Sequence, residues 1–268
     1  MISTIASLWI GDELGDIELA SIRSFQKHGH KFFLYAYGPI IGVPKSVEIL
    51  DANTIFQSSK VIRHLKNGSP AIHSDLFRYA LMMKTNHIWV DLDIIALRRF
   101  SFPSEYVFGY ENGDTVSNAV LRLPRSSTSL ELLLALEEGT TGIPPQFVGV
   151  RKFKYSIKSA LSGGLTIDRW PWGATGPGYL TWALQEAGEI SNALPVDSFY
   201  SVPFAEAWRF CDPGMYSEGD APKSAYGVHL WANKLRPYVN SRYNSVFPTL
   251  SFVKSVANDD TRYSSLLY

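Results

Sequence analysis

Apolar residues in this chain fall into short blocks separated by polar turns, and the spacing within each block sets the first expectations. Residues 3–10 are mostly apolar and close on Gly11-Asp12-Glu13, which reads as a buried first strand. Between Glu18 and His28, Leu19, Ile22 and Phe25 recur at helical spacing. Residues 31–37 read as a second strand stopped by Gly38-Pro39, and residues 47–50 as a third. This β-α-β-β order suggests a nucleotide-binding α/β sheet.

Further along, Ser69-Pro70 opens a helix that reaches about Thr85. Proline suits the first helical turn, where the amide proton it lacks has no partner in any case. Residues 87–93 read as a strand ending in carboxylates. Later strands are expected at 106–110, 119–123, 198–202 and 226–231, and helices at 127–138 and 178–187. Residues 251–267 read as a terminal amphipathic helix. No repeat or low-complexity linker marks a boundary, so the expectation is a single domain over 1–268.

Composition narrows the class. A chain of 268 residues, 46% hydrophobic and 19% charged, can bury a substantial core. Twenty-five basic residues balance twenty-five acidic ones, so the broad positive field of nucleic-acid binders is missing and no nucleic-acid partner is expected. The single cysteine, Cys211, cannot form an internal disulfide and fits a reducing compartment. The first ten residues carry no basic n-region, and no apolar run reaches the roughly 18–20 residues of a membrane span. A cytoplasmic location is the expectation, with a trimmed, Golgi-resident chain as the alternative.

Candidate chemistry centres on Asp91-Leu92-Asp93. In an extended strand Asp91 and Asp93 point to one face, where like charges repel and a divalent cation relieves the cost. Mg²⁺ and Mn²⁺ take such oxygen ligands and also accept diphosphate oxygens. Aspartates flank turns in many folds, so the pair alone does not decide. In the preceding helix Asp75, Arg78 and Tyr79 share one face by their spacing. They are either a surface ion pair with its neighbour or a polar patch turned to a ligand beside the metal.

The run Ser74-Asp-Leu-Phe-Arg-Tyr79, followed by Trp89-Val-Asp-Leu-Asp93, resembles the sugar-binding D-x-D region of glycosyltransferases. The resemblance is to the capsular-polysaccharide and α-1,4-glycosyltransferase type, and more distantly to the large clostridial glucosylating toxins. Thr85-Asn86-His87 stands where that family usually has a glycine pair, which alters the turn before the strand and removes no ligand. Leu8-Trp-Ile-Gly11 resembles the family's first strand and base-binding loop, Gly173-Ala-Thr-Gly-Pro-Gly178 its T-G-P motif, and Val228-His-Leu-Trp231 its late histidine segment.

The resemblance implies a GT-A type nucleotide-diphospho-sugar transferase fold, a single twisted mixed sheet flanked by helices. It implies transfer of a sugar from a nucleotide diphosphate donor, such as a UDP-sugar, to a hydroxyl of a glycan or glycolipid, with retention and with Mn²⁺ or Mg²⁺ as cofactor. By resemblance Asp93 is the direct metal ligand, and Asp91 touches the ribose or the transferred sugar through a metal-bound water. His229, on residues alone a buried structural histidine, becomes a metal ligand. Trp9 is either core or a stacking surface for uracil. Asp75 and Arg78 hold sugar hydroxyls. Lys234 either neutralises the departing diphosphate or is a solvated surface residue. Gly176 opens a helix whose amides hold an anion or a hydroxyl, or marks only a tight turn. No protein nucleophile is identified.

The basic-aromatic cluster Arg151-Lys-Phe-Lys-Tyr155 with Lys158 reads as solvated surface, or as a patch for an acceptor phosphate or an anionic bilayer, giving peripheral membrane association. Three rival functions remain. A haloacid-dehalogenase-type phosphohydrolase places its D-x-D after the first strand and continues it with Thr or Val, whereas here Ile94-Ile95 follow. A nucleotidyltransferase places Gly-Ser closer to its aspartates than Gly68-Ser69 stand here. A non-catalytic sugar-binding relative is the third.

Overall fold

The computed structural model describes residues 3–258. In chain order the elements are β1 (Ile5–Trp9), α1 (Asp16–Lys27), β2 (Phe32–Ala36), β3 (Glu48–Asp51), α2 (Ala71–Lys84), β4 (Ile88–Val90) and β5 (Ile94–Ala96). There follow β6 (Val107–Tyr110), β7 (Val116–Arg122), α3 (Thr128–Leu134), α4 (Gly149–Leu161) and α5 (Pro177–Glu186). The last are β8 (Gly227–His229), α6 (Ala232–Tyr243) and α7 (Phe252–Ala257). The architecture is mixed α/β with strands of both directions flanked by helices, the fold class expected. Among the described residues no helix is long and apolar enough to cross a membrane.

The chain forms two compact units. Among the described residues the first contains 3–51, Ile88–Pro103 and 195–258; the second contains Ala52–His87 and Ser104–Leu194.

In the first unit four parallel strands run β3-β2-β1-β4. Ile5 pairs with Phe32 on one side and Ile88 on the other. Ile5, Ala6, Leu34, Ile88 and Val90 are completely buried, as continuous apolar strands in a parallel sheet should be. The buried face of α1 supplies Ile17, Ala20, Ile22 and Phe25. Its two buried serines serve β5: Ser21 Oγ donates to the Ile94 carbonyl at 2.7 Å, and the Ala96 amide donates to Ser24 Oγ at 2.8 Å. The α1 start has no side-chain cap from Gly15, so the Glu18 carboxylate accepts the Gly15 amide at 2.9 Å. Glu18 is buried, and Arg236 of α6 pairs with it. Lys254 of α7 reaches Asp16 at 2.7 Å.

The strand expected over 87–93 ends at Val90. Asp91-Leu92-Asp93 is instead a turn, closed by the Ile94 amide donating to the Asp91 carbonyl at 3.0 Å, before β5 begins. The two carboxylates therefore do not alternate along one strand face. β5 then pairs antiparallel with β8, Ile94 opposite His229 and Ala96 opposite Gly227. The strand expected over 198–202 is absent. Local bonds from Ser198 to Pro195 and from Tyr200 to Val196 make a 3-10 turn there, and Pro203 interrupts any continuation. Of the terminal helix expected over 251–267, α7 covers Phe252–Ala257 and ends at the C-cap Asn258, and residues 259–267 lie outside the described ones. Two further helices, α4 and α6, did not follow from the pattern. Pro237 inside α6 reads as a breaker, yet it sits in the second turn and removes a single intrahelical bond.

In the second unit α2 buries Ile72, Leu76, Phe77 and Met82, and β6 and β7 pair antiparallel with an irregularity between Val107 and Gly109. The Ser127 hydroxyl caps α3 by accepting the Leu130 amide at 3.1 Å. The Glu189 carboxylate accepts Ser127 Oγ at 2.6 Å and the Thr128 amide at 3.0 Å at the same helix start.

The β5–β8 ribbon leaves no room for a side chain at Gly227, where a Cβ would lie 2.7 Å from the Ile95 carbonyl oxygen. Gly227→Ala is expected to cost about 1–3 kcal/mol, the range of overpacked sites. Gly219→Ala, whose nearest side-chain atom would be 3.6 Å away, should be close to neutral. Thermal unfolding of both variants checks this; equal melting temperatures would show that the ribbon yields.

Candidate functional site

The first unit gathers several of the sequence candidates at the carboxyl ends of its parallel strands. β1 and β4 are neighbours in register, with Ala6 opposite Trp89 and Ser7 Oγ donating to the Val90 carbonyl. Trp9 ends β1, and the Asp91–Asp93 turn follows β4, so both leave the sheet at the same end. In open α/β sheets that end is where ligands bind. Trp9 is half-buried. Its indole N–H is enclosed and has no hydrogen-bond partner among the described residues. Gly11 lies against the ring, where a Cβ would be 3.0 Å from the indole nitrogen.

Asp91 Oδ1 accepts the Trp89 indole N–H at 2.8 Å. Asp93 points elsewhere. The β5–β8 register brings His229 beside it, and Asp93 Oδ2 stands 3.1 Å from His229 Nε2. The same oxygen accepts the Ala232 amide at 2.9 Å, and the Asp93 carbonyl accepts the Leu230 amide at 2.8 Å. Ala232 is the first residue of α6, whose own N-cap residue, Trp231, offers no side-chain cap. Asp93 thus caps a helix nearly 140 residues away, where the helix start favours negative charge. Burial pushes the Asp93 carboxyl up, but His229, the Ala232 amide and Arg236 outweigh it and hold the group below its ordinary value of 3.8.

Trp231 makes this possible at a cost. It has φ 60°, a left-handed conformation that a bulky residue rarely adopts. Its indole N–H donates to the Val202 carbonyl at 2.9 Å, and its ring lies 4.1 Å from the His229 ring. Tyr200 packs edge-on against His229 at 5.6 Å. Lys234 of α6 is exposed, with its ammonium 5.5 Å from the Phe204 ring centre.

The second unit holds Asp75, Arg78 and Gly176. Asp75 is only 5% exposed, although sequence spacing allowed a surface pair. Asn118 Nδ2 of β7 donates to Asp75 Oδ1 at 2.9 Å, and Thr175 Oγ1 donates to Oδ2 at 2.7 Å. Arg78 stands 3.6 Å from Asp75 and donates to the Asn118 carbonyl at 2.6 Å. The Tyr79 hydroxyl donates to the Thr175 carbonyl at 2.8 Å. Gly176 is the N-cap of α5, and a Cβ there would lie 3.0 Å from Asp75 Oδ2, so glycine lets the helix start close on the carboxylate. Burial raises the Asp75 carboxyl against the opposing pull of Arg78, Thr175 and Asn118.

Three partners escaped the sequence reading: Asn118, Thr175 and the Ala232 amide. Asn118 beside Ser117 in an otherwise apolar strand was the readable signal, since buried polar side chains need partners. Thr175 stood inside the quoted T-G-P motif. A backbone amide carries no sequence signal.

A divalent cation can be tested against this geometry. Among the described residues no group of three or more His, Cys, Asp or Glu is placed to hold a metal. Asp93 and His229 form a pair. Their 3.1 Å separation matches the distance between adjacent corners of an octahedron with bonds of about 2.1 Å. A carboxylate oxygen and an imidazole nitrogen also suit Mn²⁺ or Mg²⁺ chemistry, the nitrogen favouring the former.

No family model matches the chain, and no curated protein matches its sequence. Among solved structures it is similar to one described as "PaToxG Glycosyltransferase", at 16% identity over 70% of each chain, with a TM-score of 0.44.

Two outcomes follow from the second unit. Asp75→Ala leaves the Arg78 guanidinium and two hydrogen-bond donors without their buried acceptor and should cost about 3–5 kcal/mol; denaturant unfolding measures this. An unchanged midpoint would mean that Asp75 is not a packing element. His73 of α2 is fully buried, and its Nδ1 accepts the Ile62 amide at 3.2 Å. Burial, with Arg63 adding, lowers its pKa from 6.5 to about 4. Between those values the unfolded chain binds the extra proton, so this contribution to stability is full above pH 6.5 and declines toward pH 4. His73→Gln should flatten that slope in urea titrations at stepped pH.

Proposed function

We propose that the chain is a metal-dependent glycosyltransferase that moves a sugar from a nucleotide diphosphate donor, such as a UDP-sugar, to a hydroxyl of a glycan or glycolipid. One observation carries this reading: Trp9 and the Asp91–Asp93 turn leave adjacent parallel strands at their carboxyl ends, and β8 returns His229 to Asp93. An aromatic ring, a carboxylate turn and a carboxylate–imidazole pair at one sheet edge match the three parts of such a donor, its base, its ribose and its diphosphate.

In this reading Asp93 and His229 hold Mn²⁺ or Mg²⁺, and water and diphosphate oxygens complete the shell. The cation supplies charge stabilisation as the diphosphate departs. Trp9 stacks on the base through its ring face. Asp91, already oriented by Trp89, accepts a ribose or sugar hydroxyl. Lys234 extends from the first turn of α6 and adds positive charge. Retention, like the sugar contacts assigned to Asp75, Arg78 and Gly176, rests on the sequence resemblance. The first-unit site does not depend on those three.

The test is nucleoside diphosphate release from a panel of sugar donors, with and without Mn²⁺. Wild type should release nucleotide only with metal. Asp93→Asn keeps an acceptor for the Ala232 amide, so it should fold, yet it should weaken Mn²⁺ binding by more than about a hundredfold, beyond the loss typical of outer-shell changes. Near-normal turnover in that variant would remove the metal site. Donor binding without release under any condition would favour the non-catalytic sugar-binding reading.

A further inference from the structure

The helix α4 is amphipathic the wrong way round for a helix of a water-soluble fold. None of its residues is buried. Its least exposed positions are Tyr155, Ser156 and Ser159. They mark the side turned to the rest of the unit, where buried Phe147 packs on Tyr155 at 5.0 Å and beneath the Arg151 guanidinium at 3.8 Å. At 3.6 residues per turn, Val150, Phe153, Ile157 and Leu161 fall within about 80° of one another on the opposite side. Their exposures are 85%, 67%, 46% and 85%. Val148, just before the helix, is 77% exposed.

Charge completes the pattern. The thirteen residues carry Arg151, Lys152, Lys154 and Lys158 and no acid. Lys154, Lys158 and Arg151 border the apolar stripe on one flank, with Lys152 on the other side of the helix. Long basic side chains of this kind keep their charge in a headgroup layer while their stems cover apolar surface. At 1.5 Å per residue α4 is about 20 Å long, too short for a bilayer core of about 30 Å, so it lies in the plane.

We propose that α4 is a peripheral docking element for an anionic lipid bilayer, with Val150, Phe153, Ile157 and Leu161 entering the headgroup–acyl boundary and Lys154, Lys158 and Arg151, on the flank of the stripe, meeting acidic headgroups. The complementarity of an all-basic helix with an anionic surface selects a bilayer over a protein groove. This inference stands apart from the sugar-transfer reading, and its test needs no activity.

The experiment is co-sedimentation of the full chain with vesicles of phosphatidylcholine alone or with about 30 mol% phosphatidylserine, a surface on which each Lys or Arg contributes about fivefold in affinity. Wild type should bind the anionic vesicles, and raised salt should release it. Phe153→Asp with Ile157→Asp should lower binding more than tenfold. Replacing Lys154 and Lys158 with Gln should abolish the preference for anionic vesicles while leaving residual apolar binding. All four positions are exposed, and circular dichroism verifies folding. Absence of binding to anionic vesicles at low salt, or equal binding by wild type and both variant sets, overturns the proposal. So does a dimer in sedimentation velocity that Phe153→Asp dissolves while vesicle binding is absent, which would assign the stripe to a second copy of the chain.

Discussion

The partly buried carboxylate of Asp93 is the constraint on which the first unit is organised. A carboxylate removed from water must be compensated, and a sequence-local turn offers little to do it. Compensation comes from two residues far along the chain, His229 at 3.1 Å and the Ala232 amide at 2.9 Å. The same carboxylate supplies the cap that α6 lacks, and Trp231 adopts a left-handed backbone so that the helix can begin there. A strained tryptophan and a histidine between aromatic rings are costs that sheet packing alone does not require. Strain of this kind concentrates at sites that bind ligands.

The second unit solves a related problem differently. Asp75 is buried, and its charge is answered by Arg78, Asn118 and Thr175, with Gly176 closing over it. Both carboxylate oxygens of Asp75 already accept hydrogen bonds from side chains. Asp93 differs in that one oxygen takes both of the contacts described, and one partner is an imidazole that can itself bind a cation. That contrast separates a packing node from a candidate ligand site.

α4 lies outside both nodes. Its stability derives from backbone bonds and the Phe147 contacts, because none of its side chains is buried. An apolar stripe of this extent turned to solvent is unfavourable in water and marks an interaction surface.

Much of the frame was legible in the sequence. Apolar runs at 3–10 and 31–37 marked β1 and β2, the Ser69-Pro70 start marked α2, and helical spacing marked α1, α3 and α5. These succeed because burial imposes a period of two or of 3.6 on the chain. The sequence also singled out Asp91, Asp93, His229 and Trp9 as candidates. What the sequence misplaced was geometry. A strand through residue 93 would set both aspartates on one face, whereas the turn after Val90 sends Asp91 to Trp89 and Asp93 to His229. Likewise Asp75 and Arg78, readable as a surface pair, are buried because Asn118 and Thr175 arrive from other elements. The pairing of β5 with β8 decides the neighbour of Asp93, and it is a long-range contact between segments more than a hundred residues apart. Local periodicity determines which residues are hydrophobic together; only the tertiary fold decides which polar groups must satisfy one another once water is gone.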